Sequence, residues 1–485
     1  MSRLLNALLI PAMLWPVTVL AQRAPPEKPA PPRLQWHLRD TTRAEVWRFF
    51  EPKAGGGNPD YWFLANRLFV GADLRARRWE VHAGVQYVQF GWLPAASIGP
   101  GPLGTGPQYF DHAGRTDSRQ LYVSFLNVKV QNVGASGVSL QLGRMGYASG
   151  AESASGDPKI ETIKRQRLDS RLIGEFEWSL YQRAFDGARL DVDRPEWHAT
   201  GAYFQPTQGG FEDRAGAFLK HVHIAAATIN LKPGQSRRHT DLQGFVYRYD
   251  DTRVVTTRPD NQFVSATKAD VHISSAGGSL VGAYPLGTRA QVDILGWFAG
   301  QSGHWYGQTH RAGAAAVELG YQRTKAPWRP WIRAGWFRST GDSDPSDARH
   351  QTFFQMIPTA RRYSLSTVYN LMNLSELFGQ VLLRPHAHLN LRLDVHHLRL
   401  SSPADLWYAG SGATQAGGTT FGFAGRRSNG STDLGAMAEG ALDWAASTHL
   451  SVNGYLGAMH GGHVVSGTFA GSRLEFGYVE TVVSF

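Results

Sequence analysis

The chain of 485 residues contains no cysteine. Disulfides, thiolate metal sites and cysteine nucleophiles are thereby excluded. Beyond the N-terminus there is no run of about eighteen or more apolar residues, so no membrane-spanning helix is expected. G-x-S-x-G, H-E-x-x-H, P-loop and dinucleotide-fingerprint patterns are also missing, and with them the sequence grounds for an enzyme or a bound cofactor. Acidic residues fall short of basic ones, 39 against 49, which leaves a formal charge of +10 that favours anionic partners.

What is present begins with an export signal. Arg3 precedes an apolar run over residues 4–20, and Val19-Leu20-Ala21 offers the small residues that a signal peptidase reads. Asn6, Pro11 and Pro16 interrupt that run and count against a membrane anchor. Residues 1–21 are therefore read as a signal peptide and 22–33 as a proline-rich lead-in. An exported chain without cysteine points to a bacterial envelope. It also disfavours nucleic acid as the anionic partner, and leaves small anions or an anionic polysaccharide.

Residues 34–485 read as one all-β domain. Period-two alternation is cleanest at 62–75, 388–396 and 434–444. In the second of these, Leu389, Leu391, Leu393 and Val395 oppose Asn390, Arg392, Asp394 and His396. Asn66 intrudes on the apolar face of the first. The final segment, 474–485, has the length of a tilted membrane strand and ends on the aromatic Phe485. From Ala269 onward the connections alternate in length. Short ones fall near 285–287, 325–328, 384–387 and 446–448, and long ones at 300–311, 339–374, 401–431 and 461–473. That rhythm is the one of a transmembrane antiparallel β-barrel with short periplasmic turns and long extracellular loops. An even count gives about eighteen strands once 145–182 is taken as a loop able to fold inward. A mean hydropathy of -0.30 is compatible with such a barrel, whose lumen is polar. A barrel of this width is expected to enclose water.

Parity assigns Arg39, Arg43, Arg67, Arg75, Arg183, Arg189, Arg289, Arg333 and Arg392 to the lumen. Glu45, Asp73, Glu80, Asp191, Asp293, Asp394, Asp433, Glu439 and Asp443 join them, so most of the wall charge is expected to pair internally. Lys164, Arg165, Arg167 and Arg171 cluster in one loop, and Arg361-Arg362 lie in another. Guanidinium groups folded into a pore would offer carboxylates two parallel hydrogen bonds each. Asp342, Asp344 and Asp347 are spaced loosely like a calcium loop but lack its Gly and terminal Glu, which leaves an Asp/Pro turn as the plainer reading. His221 with His223, and His386 with His388, share faces without a third ligand, so no metal is assigned. Trp328, Trp331 and Trp336 read as an interfacial belt.

Leu140-Gln-Leu-Gly-Arg144, Arg183-Ala-Phe-Asp-Gly-Ala-Arg-Leu190 and Thr352-Phe-Phe-Gln-Met-Ile-Pro-Thr359 with Arg361-Arg362 resemble motifs of the alginate-export family of outer-membrane porins. The resemblance implies an eighteen-stranded barrel in the bacterial outer membrane, monomeric, conducting a uronate polymer delivered by periplasmic export proteins. Its arginine constriction would comprise Arg67, Arg144, Arg183, Arg189, Arg361 and Arg362. Parity alone puts Arg144 on the face of Leu140 and Leu142, so it would reach the lumen only past a bulge or strand end. A general porin for small anionic nutrients is the alternative on the same fold.

Overall fold

The computed structural model describes residues 31–99, 105–234, 239–359 and 363–485. The expected signal peptide, the lead-in up to residue 30, and Arg361 and Arg362 lie outside the described residues.

The long strands are β1 (Arg33–Arg48), β2 (Asp60–Arg75), β3 (Trp79–Gly91), β4 (Ser118–Gln131), β5 (Val138–Met145) and β6 (Phe185–Asp193). Next come β7 (Trp197–Pro206), β8 (Val222–Leu231), β9 (Thr240–Asp251), β10 (Val271–Leu286), β11 (Ala290–Trp305) and β12 (Gln308–Arg323). The last are β13 (Trp331–Ser339), β14 (Leu374–His386), β15 (Leu389–Leu400), β16 (Asp433–Ala445), β17 (Leu450–Gly461) and β18 (Arg473–Ser484). Each pairs antiparallel with its neighbours in sequence, and β1 pairs with β18 from Arg39 opposite Ser484 to Arg48 opposite Glu475. Leu38 and Phe485 exchange backbone hydrogen bonds of 3.1 and 2.9 Å at the seam. The result is a closed 18-strand barrel.

The barrel is apolar outside and polar inside, because side chains alternate across each strand. On β12, Val317 and Leu319 are 61% and 58% exposed, while Glu318 between them is 2% exposed. On β15, Leu393 and Val395 face out and Asp394 faces in. Such an exterior suits hydrocarbon, where closure also leaves no backbone group without a partner. Exposed Trp36, Trp79, Trp197, Trp328 and Trp444 ring the end with short turns, and Trp62 and Trp92 lie in contact at the other. Trp331, expected in that belt, instead points inward: it is 5% exposed and donates to Asp293. Asn66, the polar residue on an apolar face, is satisfied on that face by Asp40 and Thr42.

The rhythm of connections holds with one correction. The long loop expected at 300–311 is a two-residue turn, because β11 runs on to Trp305 and β12 begins at Gln308. Tyr306 and Gly307 both have positive φ, 45° and 86°, as the tight hairpin turn matching strand twist requires. The segment 145–182 is a loop, as expected. It carries a short helix, Pro158–Ile163, followed by a wider turn at Lys164–Leu168.

The lumen is where expectation and structure part. Segments 92–99, 105–117, 146–184, 340–359, 363–373 and 401–432 turn into the barrel and pack there with aromatic and aliphatic side chains. Ile173 bridges Ile357, Trp407 donates to the Val368 carbonyl, and Tyr109 stacks between Phe90 and Phe211. At this level a packed core takes the place of the expected wide aqueous bore. The inner wall is charged, so the inward segments meet it through ion pairs. Arg333 of β13 lies 3.1 Å from Asp293 and 3.0 Å from Glu318, and Arg167 of the inward loop reaches the same Glu318 at 3.4 Å.

Glu318 thus neutralises two buried guanidinium groups. Its replacement by Ala is expected to cost about 3–5 kcal/mol, since breaking a buried pair strands the charge left behind. The check is the unfolding temperature of the detergent-solubilised barrel, followed by its heat-modifiable migration; Glu318→Gln should lose less.

Candidate functional site

Basic residues on the inner wall and in the loops converge on the plugged lumen, and most are already engaged. Arg43 donates to Glu480 at 2.8 Å and to the Trp178 carbonyl at 2.7 Å. Arg67, 7% exposed, donates to the Ser179 carbonyl at 3.3 Å. Lys164 binds the Ser153 carbonyl and Asp241, and Arg171 donates to the Arg167 carbonyl and the Tyr363 hydroxyl. Lys164, Arg167 and Arg171, loop cations that the sequence offers to a passing carboxylate, thus bind the protein's own wall and plug.

Arg183 shows the principle most clearly. It precedes β6, is 1% exposed, and donates to the carbonyls of Gly174, Ile357 and Ala413 at 3.4, 3.2 and 2.8 Å. Three inward segments are thereby tied at one planar group, which lies over the Phe176 ring. Burial without a bound carboxylate draws its value down to about 9. As a contact for a substrate in an open constriction, Arg183 is corrected: it is the tie-point of the plug. Arg189 pairs with Asp191 on its own strand and donates to the Glu152 carbonyl, so it too anchors the loop.

Arg144 is corrected differently. Opposite Leu126, which is 57% exposed, it lies on the outer face of β5, as parity indicated. β5 stops at Met145 while β4 continues upward to Ser118, so upper β4, paired with β3 on one side, has no strand beside it on the other. Arg144 donates there to the Val123 carbonyl at 2.9 Å and grips Asp186 through two bonds of 2.9 Å. It caps an edge rather than lining a pore.

Cations do line one open space. A cavity of about 830 Å³ lies toward the short turns, beneath the plug. Lys159, Arg165, Arg329, Arg384 and Arg392 line it, against Asp443 and Glu480, with Trp331 and Tyr478 supplying aromatic faces. Parity found only Arg392 among these cations. Arg329 sits at a turn and Arg384 in the irregular end of β14, where the register shifts between Leu383 and His386, so alternation says nothing about their direction; Lys159 belongs to the helix Pro158–Ile163. Lys159 lies 3.0 Å above the Trp331 ring and donates to Gln322; burial lowers it to about 7. Asp344 and Asp347 cap backbone amides of Ser346 and Arg349, the Asx pattern of a plain turn.

Two outcomes follow for the plug. Arg183→Ala removes three charge-assisted bonds, each worth about 1.5–3 kcal/mol, and is expected to raise single-channel conductance and its noise in planar bilayers. Arg183→Lys, with a point charge that cannot span three carbonyls, should do nearly the same. The second concerns pH. Glu175 in the inward loop is raised to about 8, by burial first and then by Glu177 and Asp169. Between its ordinary 4.5 and about 8 the packed loop keeps a proton that a released loop gives up, so packing weakens as pH rises through that window. Conductance is expected to increase from the acid to the alkaline end, and Glu175→Gln to flatten the profile.

A family model described as alginate export matches residues 105–474. Among solved structures the chain is similar to Acinetobacter baumannii OccAB4, at 8% identity and a TM-score of 0.56, covering 95% of this chain and 99% of that one. It is similar also to Pseudomonas aeruginosa OccK9, at 12% identity and 0.58, covering 93% and 98%. The P. aeruginosa OpdK structure with vanillate matches at 9% identity and 0.55, covering 93% and 98%. No curated protein matches.

Proposed function

Since the chain belongs to the alginate export family, and so forms an outer-membrane channel, we propose that it passes an anionic exopolysaccharide of the uronate type out of the periplasm. The observation that carries this reading is the cavity on the short-turn side. Four arginines, with Lys159 beside them, face two carboxylates there, on the side from which a secreted polymer would enter. Uronate carboxylates repeat along a chain, and guanidinium groups spread around a vestibule can hold several weakly and in turn. No bond is made or broken. By the family resemblance, Arg361 and Arg362 are further candidates for binding carboxylates. The plug confines leakage and yields when polymer is threaded.

A second reading, a porin for small carboxylates, draws support from the vanillate in the OpdK structure. Both readings place the chain in the outer membrane as a channel of the same fold.

Planar-bilayer recordings separate them. Small-anion current should be blocked by uronate oligomers added on the short-turn side. Arg329→Glu and Arg384→Glu, which reverse charge at the vestibule, and Arg361→Ala should each weaken the block by about tenfold, the loss of one charge-assisted contact. Block by monomeric carboxylates alone, indifferent to oligomer length, would favour the small-solute porin.

A further inference from the structure

The geometry points to a divalent-metal site in the inner wall of the barrel, formed by Asp394, His396 and Glu439, with a zinc-class ion as occupant. The three residues project inward from β15 and β16, where the register sets Asp394 directly opposite Glu439. They are 3%, 4% and 5% exposed, and their candidate ligand atoms all lie within 4.8 Å of one another.

Each residue spends one polar atom on the surrounding wall and leaves the other without a hydrogen-bond partner. Asp394 receives Arg392 on Oδ2, and its Oδ1 has none. Glu439 receives the Tyr455 hydroxyl at 2.6 Å and the Ser364 hydroxyl on Oε1, and its Oε2 has none. His396 places Nδ1 2.7 Å from Glu376 Oε1, and its Nε2 has none. Because the Glu376 carboxylate can only accept, Nδ1 carries a proton, and Nε2 is the nitrogen turned toward Glu439 and Asp394 and open to a metal. That is how a carboxylate orients a metal-binding histidine from behind.

A proton on Nε2 would reach only Glu439 Oε2, at a long 3.5 Å, and would leave Asp394 Oδ1 unmet. A cation held at about 2.0–2.1 Å from each ligand sets tetrahedral neighbours roughly 3.3 Å apart, close to that spacing, and satisfies all three atoms together. One imidazole nitrogen and two carboxylate oxygens suit zinc or manganese better than calcium or magnesium, which prefer all-oxygen shells. Two carboxylates balance a divalent charge. Arg392, whose Nη2 lies 3.8 Å from Glu439 Oε2, opposes the ion, and Glu376 favours it.

The ion would act on the plug. Ser364 binds Glu439, and Tyr369 donates to Glu376 at 3.0 Å, so the inward segment 363–373 rests on both the ligand residue and the carboxylate behind the histidine. Fixing these side chains fixes the segment's floor.

The test uses the full barrel in detergent, stripped with chelator and titrated with zinc alone, and with cobalt as a spectroscopic probe. About one zinc per chain is expected by elemental analysis, with cobalt giving the visible absorption of a four-coordinate site. Glu376→Gln leaves all three ligands in place and should weaken zinc binding about 10–100-fold. His396→Gln and Glu439→Gln should abolish it, with barrel folding followed by heat-modifiable migration. Asp344→Asn in the exposed turn should leave the stoichiometry unchanged. Absence of stoichiometric zinc in the wild-type protein, or binding indifferent to both His396→Gln and Glu376→Gln, overturns the site. Should His396→Gln fail to fold, the wild-type stoichiometry and Glu376→Gln decide.

Discussion

Closure of the sheet through β1 and β18 is the constraint from which the rest follows. In hydrocarbon an unpaired amide or carbonyl has no solvent to turn to, so a strand at the edge of an open sheet has no place there. Once Leu38 and Phe485 complete the ladder, alternation alone fixes the sidedness, with lipid-facing Val317 and Leu393 set against inward Glu318 and Asp394. The same closure creates an interior far wider than side chains from the wall can fill. This chain fills it with its own long loops. Because the inner wall is charged, those loops must either bring counter-charges or leave carboxylates stranded.

That requirement accounts for the loop arginines. Arg167 and Lys164 face Glu318 and Asp241 on the wall, while Arg183 ties loop to loop through backbone carbonyls. A guanidinium suits both tasks, being planar, always charged and able to donate in several directions at once. Lipid-facing polar groups obey the same accounting. Arg144 with Asp186, and Asn66 with Asp40, are satisfied by each other rather than by water.

What the sequence made legible was what is local. Period two, turn residues and the alternation of loop lengths are properties of neighbouring positions, and they yielded the barrel, its strand number and the long loop at 145–182, but not whether that loop enters the lumen. The hairpin at Tyr306-Gly307 escaped because strands that run past the lipid need no apolar outer face, so their polar ends resemble loop. Direction of side chains was legible only within regular strands: Arg392 was placed correctly, while Arg329 was missed at a turn and Arg384 at the register shift that ends β14. The role of Arg183 was not legible at all. Its partners are carbonyls of Gly174, Ile357 and Ala413, which any residue type supplies and no motif marks, and two of them lie more than a hundred residues away.

The division of labour among the cations follows from where each partner comes from. Positive groups at the level of the plug are met by wall carboxylates and carbonyls fixed in the fold, so they hold structure. Around the cavity at the short-turn end, the lining cations outnumber the lining carboxylates, and they border open space rather than packed loop. A polyanion arriving from that end meets the surplus first. Further in, it would have to compete with Glu318 and Asp241 for Arg167 and Lys164, so the groups that retain the plug are of the same chemistry as those that would draw the polymer. On the proposed function, retention and conduction would oppose each other through one kind of contact, and the weaker, solvent-exposed contacts at the mouth would set which side gains as a polymer's local concentration rises.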